Sequence, residues 1–189
     1  MIPIIELVPA AAGLSLLILL LICTATDLTW HRIPNTVLLP ALVVAVMLQT
    51  SSDGLNGFLT AIAGTIAGLV FLMPHYVMGG MGAGDVKLLA VVGAFLGPWG
   101  VLIAGAATLV AGAVLGIAYI VLRSLTPMMS YQIWKLTQLQ FVSHWHATAP
   151  IPAATSIRGN RFAYAPAIAA GTIFSMWQQG LLTKLISVI

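Results

Sequence analysis

Long apolar runs constrain this chain more than any other feature of its sequence. Of its 189 residues, 60% are hydrophobic and only 6% are charged, with seven Lys and Arg and four Asp and Glu. A folded soluble domain normally carries about 25% charged residues, so this chain has too little polar surface to be covered by water. We therefore predict a membrane protein. The net charge of +3 indicates no nucleic-acid partner, because the basic residues are scattered singly.

The apolar runs predict an all-α, polytopic membrane protein with about six transmembrane helices. A transmembrane helix needs about 20 mostly apolar residues. Four runs have about that length, and two shorter runs follow signals for the start of a helix. The six predicted spans cover residues 7–26, 36–48, 57–73, 86–96, 101–122 and 162–182. We expect the first to be a permanent span, because no Lys or Arg precedes Arg32, and residues 1–189 to form a single integral-membrane domain.

The basic residues predict the orientation, because loops rich in Lys and Arg stay in the cytoplasm. With six spans, six of the seven basic residues fall on one side of the membrane: Arg32, Lys87 and four in the stretch 123–161. We expect that side to be cytoplasmic and both termini to lie outside. Within that stretch, residues 128–145 predict either an interfacial helix or an ordinary loop with aromatic anchors.

Two of the four acidic residues lie at the predicted membrane boundary. Asp27 ends the first span and Asp85 begins the fourth, both on the predicted cytoplasmic side, whereas Glu6 and Asp53 lie near the outer side. An ionisable group at membrane depth costs about 3 kcal/mol and by default serves a function. The structural alternatives are a helix cap for Asp85 and a charge balanced by Arg32 for Asp27.

A pair of carboxylates can hydrolyse a peptide bond without a metal or a nucleophilic side chain. When they lie close together they share a proton, so one takes a proton from water while its protonated partner donates to the carbonyl oxygen. Rival motifs such as HExxH and GxSxG are absent, and Cys23 is the only cysteine. We therefore expect no metal and no cofactor; His144 and His146 could bind a metal only with further ligands.

Glycines crowd the segment before Asp85, where residues 79–84 read Gly-Gly-Met-Gly-Ala-Gly. Residues without side chains let an extended substrate approach the backbone closely. Non-helical backbone at membrane depth is tolerated only where it lines a cavity or is buried in protein. The segment therefore predicts a water-accessible cleft next to Asp85, and it lacks the spacing of a phosphate-binding loop.

These motifs resemble the type IV prepilin peptidase family, which comprises GxGD aspartic proteases of bacterial and archaeal membranes. Residues 82–85, Gly-Ala-Gly-Asp, are similar to the GxGD element, and the resemblance extends over residues 80–88. Asp27 followed by His-Arg-Ile-Pro-Asn at residues 31–35 is similar to the family's first aspartate motif. A third, weaker resemblance covers residues 164–171.

The resemblance implies a GxGD aspartyl protease architecture in which Asp27 and Asp85 are catalytic. It implies removal of a short basic leader from prepilins at the cytoplasmic edge of the inner membrane, with the prepilin and membrane lipid as partners. The positions it assigns to the substrate cleft or to support of the motifs are Gly82, Gly84, Lys87, Arg32, Pro34 and Asn35. For Lys87 the alternatives are balancing the charge of the two aspartates, binding a substrate carboxylate, and extending to the membrane interface.

The chain departs from larger members of that family in one respect. Those members carry an insert with paired CxxC motifs and also N-methylate the new pilin terminus, whereas this chain contains only Cys23. Without that insert, this chain resembles the shorter tight-adherence (Flp) peptidases, so we expect no methyltransferase or zinc domain. The alternative functions are a proton-coupled transporter that uses the two aspartates, although the sequence shows no inverted repeat, and a non-catalytic scaffold of a secretion machine.

Overall fold

The computed structural model describes residues 4–30, 32–124 and 164–188, and the regular secondary structure in these ranges is entirely helical. The predicted all-α class is therefore confirmed for the described residues. The five helices are α1 (Ile4–Trp30), α2 (Asn35–Val77), α3 (Ala83–Ser124), α4 (Ala165–Gln178) and α5 (Leu181–Val188).

Three of the described helices are long and apolar enough to cross a membrane: Val8–Trp30, Asn35–Val77 and Ala83–Ala118. Large apolar side chains on these helices point outward, and Leu21, Met47, Val70 and Val110 are among those that are mostly exposed. A soluble monomer rarely exposes so much contiguous apolar surface. The apolar exterior and the apolar lengths of the helices together indicate a membrane protein, as the composition predicted.

Non-helical residues interrupt both α2 and α3. In α2 the break comprises Asp53 (φ −129°, ψ 18°) and Gly54 (φ 58°, ψ −131°), and in α3 it is Gly97 (φ 73°, ψ 177°). Glycine adopts a positive φ without the steric cost of a Cβ, and Pro98 cannot donate to the helical hydrogen-bond ladder. Each helix therefore consists of two arms, covering residues 35–52 and 55–77 in α2 and residues 83–96 and 98–124 in α3.

The chain reverses direction at both breaks. Gly57 lies directly against the backbone of Gln49, although residues eight positions apart in a straight helix are separated by about 12 Å. In the first arm of α3, Gly93 lies against Gly64. Because Gly68 also lies against Leu89, this arm is antiparallel to the second arm of α2. At the break in α3, Gly97 lies near Thr60, and in the second arm of α3, Gly105 lies against the Phe71 ring, so the contacts with α2 run in the opposite direction.

Small residues allow the helices to approach closely. A Cβ on Gly68 would lie 2.5 Å from the carbonyl oxygen of Leu89, and Gly64 and Gly93 meet backbone to backbone. Association of helices within a lipid bilayer depends on close packing of this kind, because lipid tails are as apolar as the side chains. These contacts hold the second arm of α2 against the first arm of α3.

The last described helices differ from the predicted sixth span. That span was expected to cover residues 162–182, whereas α4 ends at Gln178 and α5 begins at Leu181. The break has a local cause, because Gly180 has a φ of 69°. The predicted start at Phe162 lies outside the described residues.

The chain forms two compact units. The first comprises Met1–Gly112 and Phe162–Ile189, and the second comprises Ala113–Arg161. In the second unit the structure describes residues 113–124, which are helical. The predicted interfacial segment 128–145, with His144 and His146, lies outside the described residues.

Candidate active site

Asp27 lies in the last turn of α1 and is buried, with 7% of its surface exposed. Its Oδ2 accepts a hydrogen bond of 3.1 Å from the backbone N–H of Ala165, across 138 positions of the sequence. Ala165 is the first residue of α4, and the first backbone N–H groups of a helix have no partner within that helix. Asp27 therefore satisfies a buried donor at the start of a different helix.

Asp85 lies in the first turn of α3 and is also 7% exposed. Its Oδ2 accepts a hydrogen bond of 3.1 Å from the N–H of Gly82, and its own N–H donates to the carbonyl oxygen of Gly82 at 3.1 Å. A side chain that accepts from the residue before a helix forms half of a capping box. The sequence alternative of Asp85 as the N-cap residue is wrong, because α3 begins two residues earlier, at Ala83. The hydrogen bond from Gly82 instead fixes the orientation of the Asp85 carboxylate from within its own turn.

Asp27 and Asp85 lie close enough to each other to interact electrostatically. Asp27 exerts an electrostatic effect on the carboxyl group of Asp85, and both side chains are shielded from water. Burying a charged group is costly unless it is paired or hydrogen-bonded, and here each carboxylate accepts one backbone N–H. Two buried carboxylates, each with one oxygen held by a backbone N–H, form a candidate acid–base centre.

Residues 32–35, which follow α1, contact the beginning of α3. Ile33 covers Gly84, whose Cβ, if present, would lie 3.2 Å from the Ile33 Cβ. The side chain of Lys87 donates a hydrogen bond of 3.2 Å from Nζ to Oδ1 of Asn35. Pro34 takes the N-cap position of α2 with φ −74° and ψ 130°. These contacts tie the sequence following Asp27 to the sequence surrounding Asp85.

The remaining predicted site residues are more exposed. Arg32 and Gly82 are exposed, and so is Lys87 apart from its contact with Asn35, whereas Gly84 is half-buried. Most of the glycine segment before Asp85 is exposed, although Met81 within it is buried. The two buried carboxylates therefore lie beside an exposed, glycine-rich stretch of backbone, where the sequence predicts the cleft.

Two residues of the site were not predicted from the sequence. Ala165 acts through its backbone amide, which leaves no mark in the side-chain pattern; the only signal was the weak resemblance over residues 164–171. Ile33 lies inside the first aspartate motif, but its apolar side chain carries no chemistry of its own. Both residues contact the segments that hold the aspartates.

A cavity of about 400 Å³ lies elsewhere in the first unit, between the beginning of α1 and the break in α2. Its lining includes Pro9, Gln49, Asp53 and Gln179, and neither Asp27 nor Asp85 contributes to it. Within residues 4–30, 32–124 and 164–188, no group of three or more His, Cys, Asp or Glu side chains is placed to hold a metal ion.

The long apolar helices and the two buried aspartates, Asp27 and Asp85, indicate a membrane protein with an acidic candidate site. Comparison with known protein families identifies its family. Residues 14–117 match the type IV leader peptidase family. That match covers more than half of the chain and includes both Asp27 and Asp85. The chain belongs to the type IV leader peptidase family.

One curated relative is the prepilin leader peptidase/N-methyltransferase of Bacillus subtilis (strain 168). The chain is 38% identical to it over 97 residues, which make up 49% of this chain and 36% of the relative. The similarity thus spans about a third of the relative's length. No solved structure matches the chain.

Proposed function

We propose that the protein is an aspartic endopeptidase that removes the leader peptide from type IV prepilins, with Asp27 and Asp85 as its catalytic pair. The observation that supports this proposal is that α1 and α3 each carry one buried carboxylate, close enough to interact electrostatically, in a chain of the leader peptidase family. The family match gives no support to a proton-coupled transporter.

The proposed reaction uses the two carboxylates as one acid–base unit. The ionised carboxylate takes a proton from water while the water oxygen bonds to the scissile carbonyl carbon, and the protonated carboxyl donates to the carbonyl oxygen. The resulting tetrahedral intermediate then collapses: the C–N bond breaks as the leaving amine takes a proton from one carboxyl, and a hydroxyl of the intermediate returns its proton to the other carboxylate. Hydrogen bonds from Ala165 and Gly82 keep one oxygen of each carboxylate in place during these steps.

We propose six membrane passes, formed by α1, the two arms of α2, the two arms of α3, and α4. The breaks at Asp53–Gly54 and at Gly97 support this count, because they fall in the loops that the apolar runs predict. In this topology the ends of the passes that carry Asp27 and Asp85 share one side. The distribution of Lys and Arg makes that side cytoplasmic, with both termini outside and the protein in the inner membrane.

The proposed substrate is an Flp-like prepilin, which presents a short basic leader ahead of a hydrophobic helix. The hydrophobic helix would lie in lipid beside the protein while the leader reaches the exposed glycine segment. We also propose one peptidase domain without a zinc domain and without N-methylation, because paired CxxC motifs are absent from a chain whose only cysteine is Cys23.

Coexpression with a prepilin tests this function. An epitope-tagged Flp-type prepilin is expressed in bacteria that lack their own prepilin peptidase, together with the wild-type protein or with Asp27→Asn or Asp85→Asn. Immunoblots of the membranes should show the shortened pilin with the wild type and only the full-length prepilin with either variant. Asp53→Asn, which changes an exposed acidic residue outside the pair, should cleave normally.

The proposed function is wrong if the wild-type protein, present in the membrane at a normal level, leaves the prepilin intact. The catalytic pair is wrong if the wild type cleaves and either Asp27→Asn or Asp85→Asn cleaves at the same rate. Mass spectrometry of the mature pilin tests the proposed absence of N-methylation, since we expect an unmethylated N-terminus.

A further inference from the structure

The start of α4 lacks a capping side chain of its own. Its N-cap residue is Tyr164, with no side-chain hydrogen bond to the helix, whereas Ser, Thr, Asp and Asn are the usual capping residues. Pro166, in the first turn, has no N–H to donate. The N–H of Ala165 belongs to a fully buried residue, and a buried backbone donor requires a partner. Asp27 is that partner.

Close packing fixes the position of α4. A Cβ on Gly171 would lie 2.5 Å from the carbonyl oxygen of Ala104, so α4 and the second arm of α3 meet backbone to backbone. Further along α4, Ser175 Oγ donates a hydrogen bond of 2.8 Å to the carbonyl oxygen of Gly100. Because these contacts hold the middle and the last turn of the helix, they constrain the position from which the Ala165 N–H donates to Asp27.

The two aspartates are oriented by different parts of the fold. The Asp85 carboxylate accepts its hydrogen bond from Gly82, three residues away in the same turn. The Asp27 carboxylate accepts its hydrogen bond from Ala165, at the beginning of another helix. The relative orientation of the pair therefore depends on α4 as well as on α1 and α3.

We propose that the backbone N–H of Ala165 is a positioning group of the peptidase. By holding Oδ2 of Asp27 it fixes the plane of that carboxylate and directs Oδ1 toward the reacting water and Asp85. This inference rests on the proposed function. It makes α4 a third structural component of the active site, and it assigns a role to the sequence Tyr164-Ala165-Pro166 that does not depend on its side chains.

An amide-to-ester replacement tests the role directly. Incorporating lactic acid at position 165 by nonsense suppression keeps the methyl side chain and replaces the N–H with an oxygen. The matched control places lactic acid at Ala170, an exposed residue of the same helix whose amide is an ordinary helical one. Both proteins are purified as full chains and assayed on the purified Flp-type prepilin.

We expect the ester at position 165 to lower kcat by about tenfold to a hundredfold, because a small displacement of a catalytic group has effects of that size. Its KM should stay within about twofold of the wild-type value, since the amide contacts Asp27 rather than the substrate. The ester at position 170 should keep the wild-type kcat. Equal kcat values for the two esters would overturn the positioning role.

Thermal unfolding tests the hydrogen bond independently of activity. Asp27→Ala removes the acceptor, and it should lower the unfolding midpoint of the normal chain but not that of the chain with the ester at position 165. An equal decrease in both backgrounds would overturn the contact. If the unmodified protein fails to cleave the prepilin, the proposed function is at fault, whereas cleavage with a normal kcat in the ester at 165 overturns this inference alone.

Discussion

Ile33 lies directly over Gly84, and a Cβ on Gly84 would be 3.2 Å from the Ile33 Cβ and 3.5 Å from its Cγ1. Gly84 immediately precedes Asp85, and Ile33 belongs to the segment that follows α1. The contact therefore sets how closely the chain around Asp27 approaches the chain around Asp85. An alanine Cβ at position 84 would require Ile33 to shift by a few tenths of an ångström.

Gly84→Ala should lower the rate of prepilin cleavage. The added methyl group overpacks the contact with Ile33, and overpacking typically costs about 1–3 kcal/mol, so we expect a rate reduction of about tenfold. Shortening the partner should relieve the clash, so Ile33→Ala in the Gly84→Ala background should recover part of the activity. Single-turnover cleavage by the purified variants provides the measurement.

Gly116→Ala is the matched control for this substitution, because a Cβ there meets nothing within 4 Å among the described residues. It should leave the rate of cleavage unchanged. The account of the Ile33 contact is contradicted if Gly84→Ala is as active as the control, or if the double variant is no more active than Gly84→Ala alone.

Lys87 is expected to act through its hydrogen bond to Asn35. Lys87→Met removes the donor, and a typical hydrogen bond contributes about 0.5–1.5 kcal/mol, so we predict a decrease in kcat of about twofold to tenfold. Lys87→Arg keeps a donor and should retain most of the activity. In the Asn35→Ala background, Lys87→Met should have no further effect.

The same double-mutant comparison separates this role from binding of a substrate carboxylate. Direct binding would make Lys87→Met raise KM whether or not Asn35 is present. A raised KM for Lys87→Met in the Asn35→Ala background would therefore rule out the interhelical role and favour contact with the substrate.

Gly93→Ala should destabilise the helical bundle. Gly93 and Gly64 meet backbone to backbone, so a methyl group forces the first arm of α3 away from the second arm of α2, at a cost of about 1–3 kcal/mol. Thermal unfolding in detergent, followed by circular dichroism, should show a lower midpoint for Gly93→Ala. Gly116→Ala should show an unchanged or slightly higher midpoint, because alanine favours a helix over glycine; equal midpoints for the two variants would contradict the packing.

Chelators should leave cleavage unaffected. Hydrolysis by a pair of carboxylates requires no metal, so treatment of the purified protein with EDTA or 1,10-phenanthroline should give the same rate as buffer alone. Strong inhibition that added zinc reverses would contradict a metal-free mechanism.

The sequence predicts most of the helical framework because apolar length and turn residues act locally. The breaks at Asp53–Gly54 and Gly97 lie between predicted spans, since glycine and proline impose their backbone preferences whatever the tertiary context. The predicted end of the first helix is less accurate. The apolar run stops at residue 26, whereas α1 continues to Trp30 and carries Asp27 within its last turn.

The residues of the candidate site could be predicted from the sequence only in part. Asp27 and Asp85 are conspicuous because charge is rare and expensive at the membrane boundary. The contact between Asp27 and Ala165 joins positions 138 residues apart through a backbone amide, and every residue except proline has such an amide. The pairing of Lys87 with Asn35 likewise requires knowledge of which helix ends meet. Only the tertiary structure supplies that information.

The central claim is that Asp27 and Asp85 of one chain act together on one peptide bond. Single-turnover cleavage of a purified prepilin by the protein in liposomes tests it most directly, with the wild type, Asp27→Asn, Asp85→Asn and a mixture of the two variants. We predict cleavage by the wild type alone, with no activity in either variant or in the mixture. Cleavage at the wild-type rate by either single variant would contradict the claim.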